Sequence, residues 1–259
     1  MGRVVSRLLD EPNAPVDRDR VVTTGLNDLD ELLAGGLRTG QTTVVASRSG
    51  DGASTFALGL ARSAALHHHL PTLVIAPDAP ESEVVMRLIS AETHIPLQRL
   101  RGGALNEREV KRVREREERI TSEHLSVMAG SPPAGTLVDS VVAVTHGDDV
   151  RVVIVDSIAT LGASAREDVA SMAAWAREHH FALVLVTGAL QPSTSEERPL
   201  QLADLRDYEA VADLVDAVLM IERAEPPEAV IHVVKHRYGP TGSIRVGLIA
   251  HCCSYANLP

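Results

Sequence analysis

Residues 47–55 read S-R-S-G-D-G-A-S-T. An apolar run, T-T-V-V-A at 42–46, precedes them, and a helical pattern, F-A-L-G-L-A at 56–61, follows. Strand, glycine-bearing loop and helix, in that order, is the context in which backbone N–H groups and a helix N-terminus cradle phosphate. Against the phosphate-loop pattern G-x-x-x-x-G-K-[ST], Ser47 stands at the first glycine, Gly52 at the second, Ala53 at the lysine and Ser54 at the hydroxyl. In a working loop the lysine reaches the β and γ phosphates and the hydroxyl holds Mg²⁺. Gly52, Ser54 and Thr55 retain backbone donors and a metal-binding hydroxyl, whereas Ala53 brings no charge. Arg48 within the loop and Arg62 about two turns into the helix are the cations available to compensate. Taken alone, the segment reads equally as an ordinary Gly/Ser connection.

A second apolar strand, V-V-I-V-D-S at 152–157, closes on Asp156. A carboxylate at the C-terminal end of a central strand is placed to meet a metal ion. The plainer reading of Asp156 is a cap on the helix that follows.

The rest of the chain alternates strand and helix. L-N-D-L-D-E-L-L at 26–33 carries leucines at helical spacing and stops at Gly35-Gly36. Buried strands are predicted at 72–76, 150–155 and 183–187, with a shorter strand at 125–128. Helices are predicted at 81–92, 137–144 and 169–179, and a charged helix starts from Asn106 with Glu109 as its capping-box acid. The alternating Arg/Glu run in that helix reads as a solvated face with i,i+4 pairs rather than a nucleic-acid patch. Residues 188–206 read as a long polar loop, and three late strands at 217–222, 229–235 and 243–248 follow. The pattern implies an α/β fold, a mostly parallel sheet with antiparallel edge strands at the C-terminal end. Residues 1–20 read as an arm with a short helix at 4–9, residues 21–250 as the domain and 251–259 as a tail.

The bulk composition narrows the function classes. With 44% hydrophobic residues in 259, the chain can bury a full core, and with 2% aromatics that core is Val, Leu, Ile and Ala. A net charge of −10 disfavours wrapping nucleic acid, although a ring can concentrate positive charge in a pore. No apolar stretch reaches the roughly 18 residues of a membrane span, and no signal peptide is read, so the cytoplasm is expected. Cys252 and Cys253 are adjacent, unlike a disulfide framework or a zinc site. Arginine is the usual cation here, since Lys111 and Lys235 are the only lysines.

Together these segments resemble the C-terminal motor domain of DnaB-type replicative helicases, a RecA-like P-loop ATPase fold. The resemblance runs through T-G-L-N-D-L-D-E-L-L-A-G-G-L-R-T-G at 24–40, R-S-G-D-G-A-S-T-F-A-L at 48–58 and P-E-S-E-V-V-M-R-L-I-S at 80–90. It continues through R-P-L-Q-L-A-D-L-R-D at 198–207 and V-K-H-R-Y-G-P-T-G-S-I-R-V at 234–246, and covers about residues 20–250. It implies ATP or ADP with Mg²⁺ as cofactors, and a homo-oligomer, ring or filament, with nucleotide at subunit boundaries. The family's separate N-terminal primase-interacting domain is expected to be absent, and residues 4–9 to serve as a linker helix docking on the next copy.

Carried over by residue, Arg48, Gly50, Gly52, Ala53, Ser54, Thr55 and Arg223 form the candidate nucleotide contacts, with Ser54 and Asp156 on the metal. Lys235 and Arg237 match the K-x-R pair that reaches a neighbouring subunit's γ-phosphate. Four positions depart, all at the ATP or DNA chemistry. Ala53 replaces the lysine. Asp78 stands for the catalytic glutamate one methylene short, and a base displaced by about 1 Å can cost on the order of 10²-fold. Thr187-Gly188-Ala189 stands where the family has S-Q-x. Arg206 matches a DNA-contact arginine, but Glu209 falls where the family has a glycine against the DNA backbone, and its carboxylate would repel phosphate. Three functions therefore fit: an assembly or protein-binding pseudo-ATPase, an ATP-dependent DNA helicase, and a nucleotide sensor without turnover. Losing one preorganised charge from a phosphoryl-transfer site costs about 10²–10³ in rate, which favours the first over the second. Single-stranded DNA is a disfavoured partner and no membrane is expected.

Overall fold

A computed structural model describes residues 20–130, 137–145, 149–188, 200–205 and 209–259. In chain order it contains β1 (Val21–Val22), α1 (Asn27–Leu32), β2 (Leu37–Arg38), β3 (Thr42–Ser47), α2 (Ala53–Arg62), β4 (Thr72–Ala76) and α3 (Glu81–Thr93). Then come α4 (Leu97–Arg101), α5 (Glu107–Ile120), β5 (Leu125–Ala129), α6 (Leu137–Thr145), β6 (Val152–Asp156), α7 (Ala165–His179) and β7 (Ala182–Thr187). The chain finishes with α8 (Glu209–Ala212), β8 (Ala217–Arg223), β9 (Glu228–His236), β10 (Gly242–Ile249) and β11 (Ser254–Ala256). The predicted arm helix at 4–9 lies outside the described residues.

Nine strands form one sheet in the order β11-β10-β9-β8-β3-β7-β6-β4-β5. From β8 to β5 every neighbouring pair is parallel, and β8-β9, β9-β10 and β10-β11 are antiparallel. This is the sheet expected from the sequence pattern. Its central strands are apolar throughout because helices cover both faces. Alternation assigns each residue a side: Val45, Val74, Ile154 and Val184 pack with α1 and α2, while Val44, Leu73, Val153 and Leu183 pack with α7.

Most predicted elements lie within a residue or two of their expected bounds. Asn106 accepts from the Glu109 amide while the Glu109 carboxylate accepts from the Asn106 amide, so the capping box is complete. Helix α7 starts one turn earlier than its apolar spacing indicated, because Ala165 and the polar Arg166-Glu167-Asp168 form its first turn. The segment expected as a tail instead adds β11 to the sheet, pairing Leu248 with Tyr255.

The charged helix α5 also does more than face solvent. Lys111 and Glu115 form an i,i+4 pair at 3.7 Å, but Arg116 and Arg119 turn inward to Glu92 at the end of α3. The Glu92 carboxylate is 3% exposed and also pairs with Arg62 at 3.2 Å and His67 at 3.6 Å. Burial raises its pKa, yet Arg62, His67 and Arg119 together bring it below the usual glutamate value. One carboxylate thus ties α2, α3 and α5 together. Arg62 is consequently spent here and does not reach the phosphate loop, which removes it as the compensating cation.

Candidate functional site

The turn between β3 and α2 lies at the C-terminal end of the parallel strands, where open α/β sheets present their ligand crevices. Ser47 takes over part of the loop-closing work: its hydroxyl donates to the Arg48 carbonyl at 2.8 Å and accepts from the Ala53 amide at 3.4 Å. Gly50 and Gly52 both hold positive φ, at 87° and 110°. Gly52 has a second reason to lack a side chain, since a β-carbon there would collide with the Tyr255 hydroxyl. Tyr255 reaches over from β11 and donates toward the carbonyls of Gly52 (3.3 Å) and Asp51 (3.4 Å). Its ring meets Phe56 edge-on at 6.1 Å, and burial pushes its phenol pKa well up, so it stays a neutral donor.

A cavity of about 930 Å³ opens above this loop. Ser47, Arg48, Gly50, Gly52, Ala53, Ser54, Thr55, Asp156 and Arg223 all line it, so the whole candidate nucleotide and metal set converges. Ser54 donates to Asp156 across 3.0 Å, joining the first residues of α2 to the last of β6. Burial raises the Asp156 pKa, and the hydroxyl of Ser54 and the charge of Arg87 oppose the rise only in part. A half-buried carboxylate beside a hydroxyl, short of positive charge, suits a divalent cation held by oxygen ligands. Thr187, the last residue of β7, also lines the cavity, and its fully buried hydroxyl has no partner among the described residues. Gly188 lies beside it, and Ala189 falls outside the described residues.

Ala53 is buried at 4% exposure and gives the cavity a methyl where the loop pattern has an ammonium. Arg48 lines the cavity but its guanidinium pairs with Glu222 at 3.2 Å. Arg223 is exposed at the end of β8, and its charge, like that of Arg48, acts on Asp51, whose pKa is raised by burial and held back by these two arginines.

Three candidates stand apart from the cavity. Asp78 is exposed on the turn after β4 and does not line it, although its charge adds to the rise of Asp156. Lys235 and Arg237 lie where β9 meets the start of β8, and that start is four residues from Ile221, which pairs with Ser47. At the usual rise per strand residue this places them about 13 Å along the sheet from their own loop. Lys235 donates to the Ala212 carbonyl at 2.6 Å, and burial lowers its pKa, with Arg237 adding to the effect. Arg237 pairs with buried Asp216 at 3.1 Å. Arg206 lies outside the described residues, and the side chain of Glu209 is likewise not described.

The cavity also contains residues that sequence patterning passed over. Arg87 of α3 and Cys253, just before β11, line it. The signal for Arg87 was present as an i,i+4 spacing from Glu83, whose carboxylate accepts from Arg87 Nε at 2.8 Å. Nothing local in the sequence brings Cys253 or Tyr255 to a loop two hundred residues earlier. Both cysteines are free and buried.

A family model for the DnaB-like helicase C-terminal domain matches residues 21–257. The replicative DNA helicase DnaB of Leifsonia xyli subsp. xyli is 30% identical across 100% of this chain and 61% of its own length. Its counterpart from Mycobacterium intracellulare is 26% identical across 79% of this chain and 39% of its own. The chain thus spans less than two thirds of the length of each of these relatives. Among solved structures, the ATPase domain of G40P superposes with a TM-score of 0.83 at 17% identity, covering 100% of this chain and 98% of that one. A DnaB-like replicative helicase, solved in a study of its interactions with primase, gives 0.80 at 17% identity, covering 100% and 67%. The architecture is therefore the RecA-like one of these ATPase domains. No helix among the described residues is long and apolar enough to cross a membrane.

Proposed function

Because the chain belongs to the DnaB-like helicase C-terminal domain family, we propose that it is a nucleotide-binding assembly module with little or no ATP turnover. The observation that carries this reading is the split within one cavity. Ser54 and Asp156 keep a hydroxyl–carboxylate pair fit for Mg²⁺, while Ala53 removes the lysine and Asp78 stands outside the cavity lining. Binding and hydrolysis need different parts of such a site, since hydrolysis depends on charge that follows the γ-phosphate and on an ordered base. What remains serves binding. ATP or ADP with Mg²⁺ is the fitting ligand, with Ser54 and Asp156 as the metal-facing residues.

Lys235 and Arg237 support the assembly part of the reading. Their place at the start of β8, away from the loop of their own copy, supports contact with a nucleotide held by another copy. A homo-oligomer, ring or filament, with nucleotide between copies, is the arrangement in which they act at a phosphate. Their bonds to Ala212 and Asp216 then hold them ready within each copy.

The second reading, a DNA-stimulated helicase motor, draws on the three arginines that line the cavity, Arg48, Arg87 and Arg223. Steady-state ATP hydrolysis with and without single-stranded DNA, run beside Ala53→Lys, separates the two. The proposal expects turnover near background for the wild type under both conditions and saturable ATP–Mg²⁺ binding by calorimetry. Hydrolysis that rises with single-stranded DNA in the wild type overturns it in favour of the motor. Binding of ATP by a particle that stays monomeric leaves a nucleotide sensor and removes assembly from the reading.

A further inference from the structure

We propose that Arg87 supplies the phosphate-directed positive charge that Ala53 lacks, entering the site from α3 instead of from the loop. The inference rests on the nucleotide-binding reading above and adds the residue that makes binding possible.

Arg48 and Arg87 are both ion-paired, but differently: Arg48 gives a terminal nitrogen, Nη1, to Glu222, whereas Arg87 gives Nε to Glu83. Arg62 is held by Glu92, and Lys235 and Arg237 lie at the opposite end of the sheet. Arg223 lines the cavity, and its charge acts on Asp51 and Tyr255. Arg87 lines the same cavity, and its charge is felt at Asp156 and Cys253. A phosphate chain lying over the N-terminus of α2 with its metal at Ser54 and Asp156 shares that cavity with Arg87.

Arg87 is also built to take an anion. Glu83 holds its Nε at 2.8 Å, and Glu83 is itself gripped by Arg101 of α4. The guanidinium is thereby fixed by one edge, and neither terminal nitrogen has a partner among the described residues. A planar fork held at Nε and open at both Nη atoms is the geometry for bidentate contact with phosphate oxygens.

The test is calorimetric titration of the full chain with ATP, ADP and AMP in Mg²⁺. Four proteins are compared: wild type, Arg87→Ala, Arg87→Lys, and Arg87→Ala combined with Ala53→Lys. Arg87→Ala is expected to weaken ATP and ADP by tenfold or more and AMP by less than threefold. Arg87→Lys should fall between, and Ala53→Lys should recover at least half of the lost affinity in the double variant. Arg223→Ala is expected to change ATP affinity less than Arg87→Ala. ATP affinity unchanged in Arg87→Ala overturns the proposal, as does a loss that Ala53→Lys does not recover. A wild type that binds none of the three nucleotides instead overturns the nucleotide-binding reading itself. Arg87→Lys keeps the proposal falsifiable should Arg87→Ala fold poorly, because equal ATP and AMP losses in it would count against a role at the terminal phosphates.

Discussion

Glu92 and Asp156 are both carboxylates withdrawn from water, one buried at the end of α3 and one half-buried at the end of β6. Around Glu92 the protein gathers Arg62, His67, Arg116 and Arg119 within 3.2–3.8 Å. Around Asp156 it places one serine hydroxyl at hydrogen-bond distance. Burial pushes both pKa values upward; the cations overturn that at Glu92 and fail to at Asp156. The difference separates an acid that holds helices together from an acid that waits for a cation. Compensated buried charge is architecture, and uncompensated buried charge marks a site.

The most damaging way to test the comparison is to remove Glu92. Glu92→Ala leaves three arginines and His67, whose pKa burial lowers, around a void, and with Arg116 and Arg119 partly exposed the cost is about 3 kcal/mol, the low end for breaking a buried pair. Urea unfolding should show that loss, with α5 no longer tied to α2 and α3. A wild-type midpoint would show that the cluster is solvated and carries no structural weight.

Gly52→Ala strikes the site side of the comparison. The φ of 110° and the approach of Tyr255 together make a side chain there strained, by about 1–3 kcal/mol. Nucleotide affinity should fall along with stability, because the strain sits in the loop. Tyr255→Phe is milder: it removes two long hydrogen bonds to carbonyls and keeps the ring, for about 0.5–1.5 kcal/mol. Chemical denaturation of the two variants side by side should rank them in that order.

The smallest effect is the sharpest, because its sign differs between the two acids. Glu92 has a lowered folded-state pKa, so its stabilisation is full above the usual 4.5 and fades as pH falls through that lowered value. Asp156 has a raised one, so its ionisation burdens the fold above that raised value, and the burden is gone below the usual 3.8. Asp156→Asn should therefore raise the melting temperature slightly at neutral pH, with the gain shrinking toward pH 3.8, while Mg²⁺-dependent nucleotide binding is lost. Glu92→Gln should lower it at neutral pH, with the deficit shrinking in acid. Thermal melts from pH 3 to 8 read both slopes, and parallel slopes would erase the distinction between the two carboxylates.

Sequence patterning carried much of this molecule. The runs at 72–76 and 152–156 and the leucine spacing at 26–33 encode their own conformations, because strand and helix periods are local properties. Ser54 and Asp156 were legible for a related reason: each stands at the end of such an element, and a parallel sheet brings those ends together. Glu92 and Arg87 were not. Both sit in a helix that was placed well, yet their roles depend on which neighbours the helix meets, and an Arg/Glu run on α5 looks alike whether its arginines face water or a buried acid. The cations of the site were the hardest to assign for the same reason. Arg62 lies one element from the loop in sequence but turns to Glu92, whereas Arg87 lies a strand and a turn further on and faces the cavity.

Tyr255 also bears on the order in which the molecule is assembled. Its hydroxyl meets backbone carbonyls 203 and 204 positions earlier, and Asn257 reaches further still, to the amide of Asn27. Closing loops of that length is slow and entropically late. During synthesis, the strands and helices around the cavity can gather while the loop over it still lacks its support. The shape of the loop therefore depends on a strand two hundred residues away, so a change in β11 reaches the candidate site without touching any residue of the loop itself.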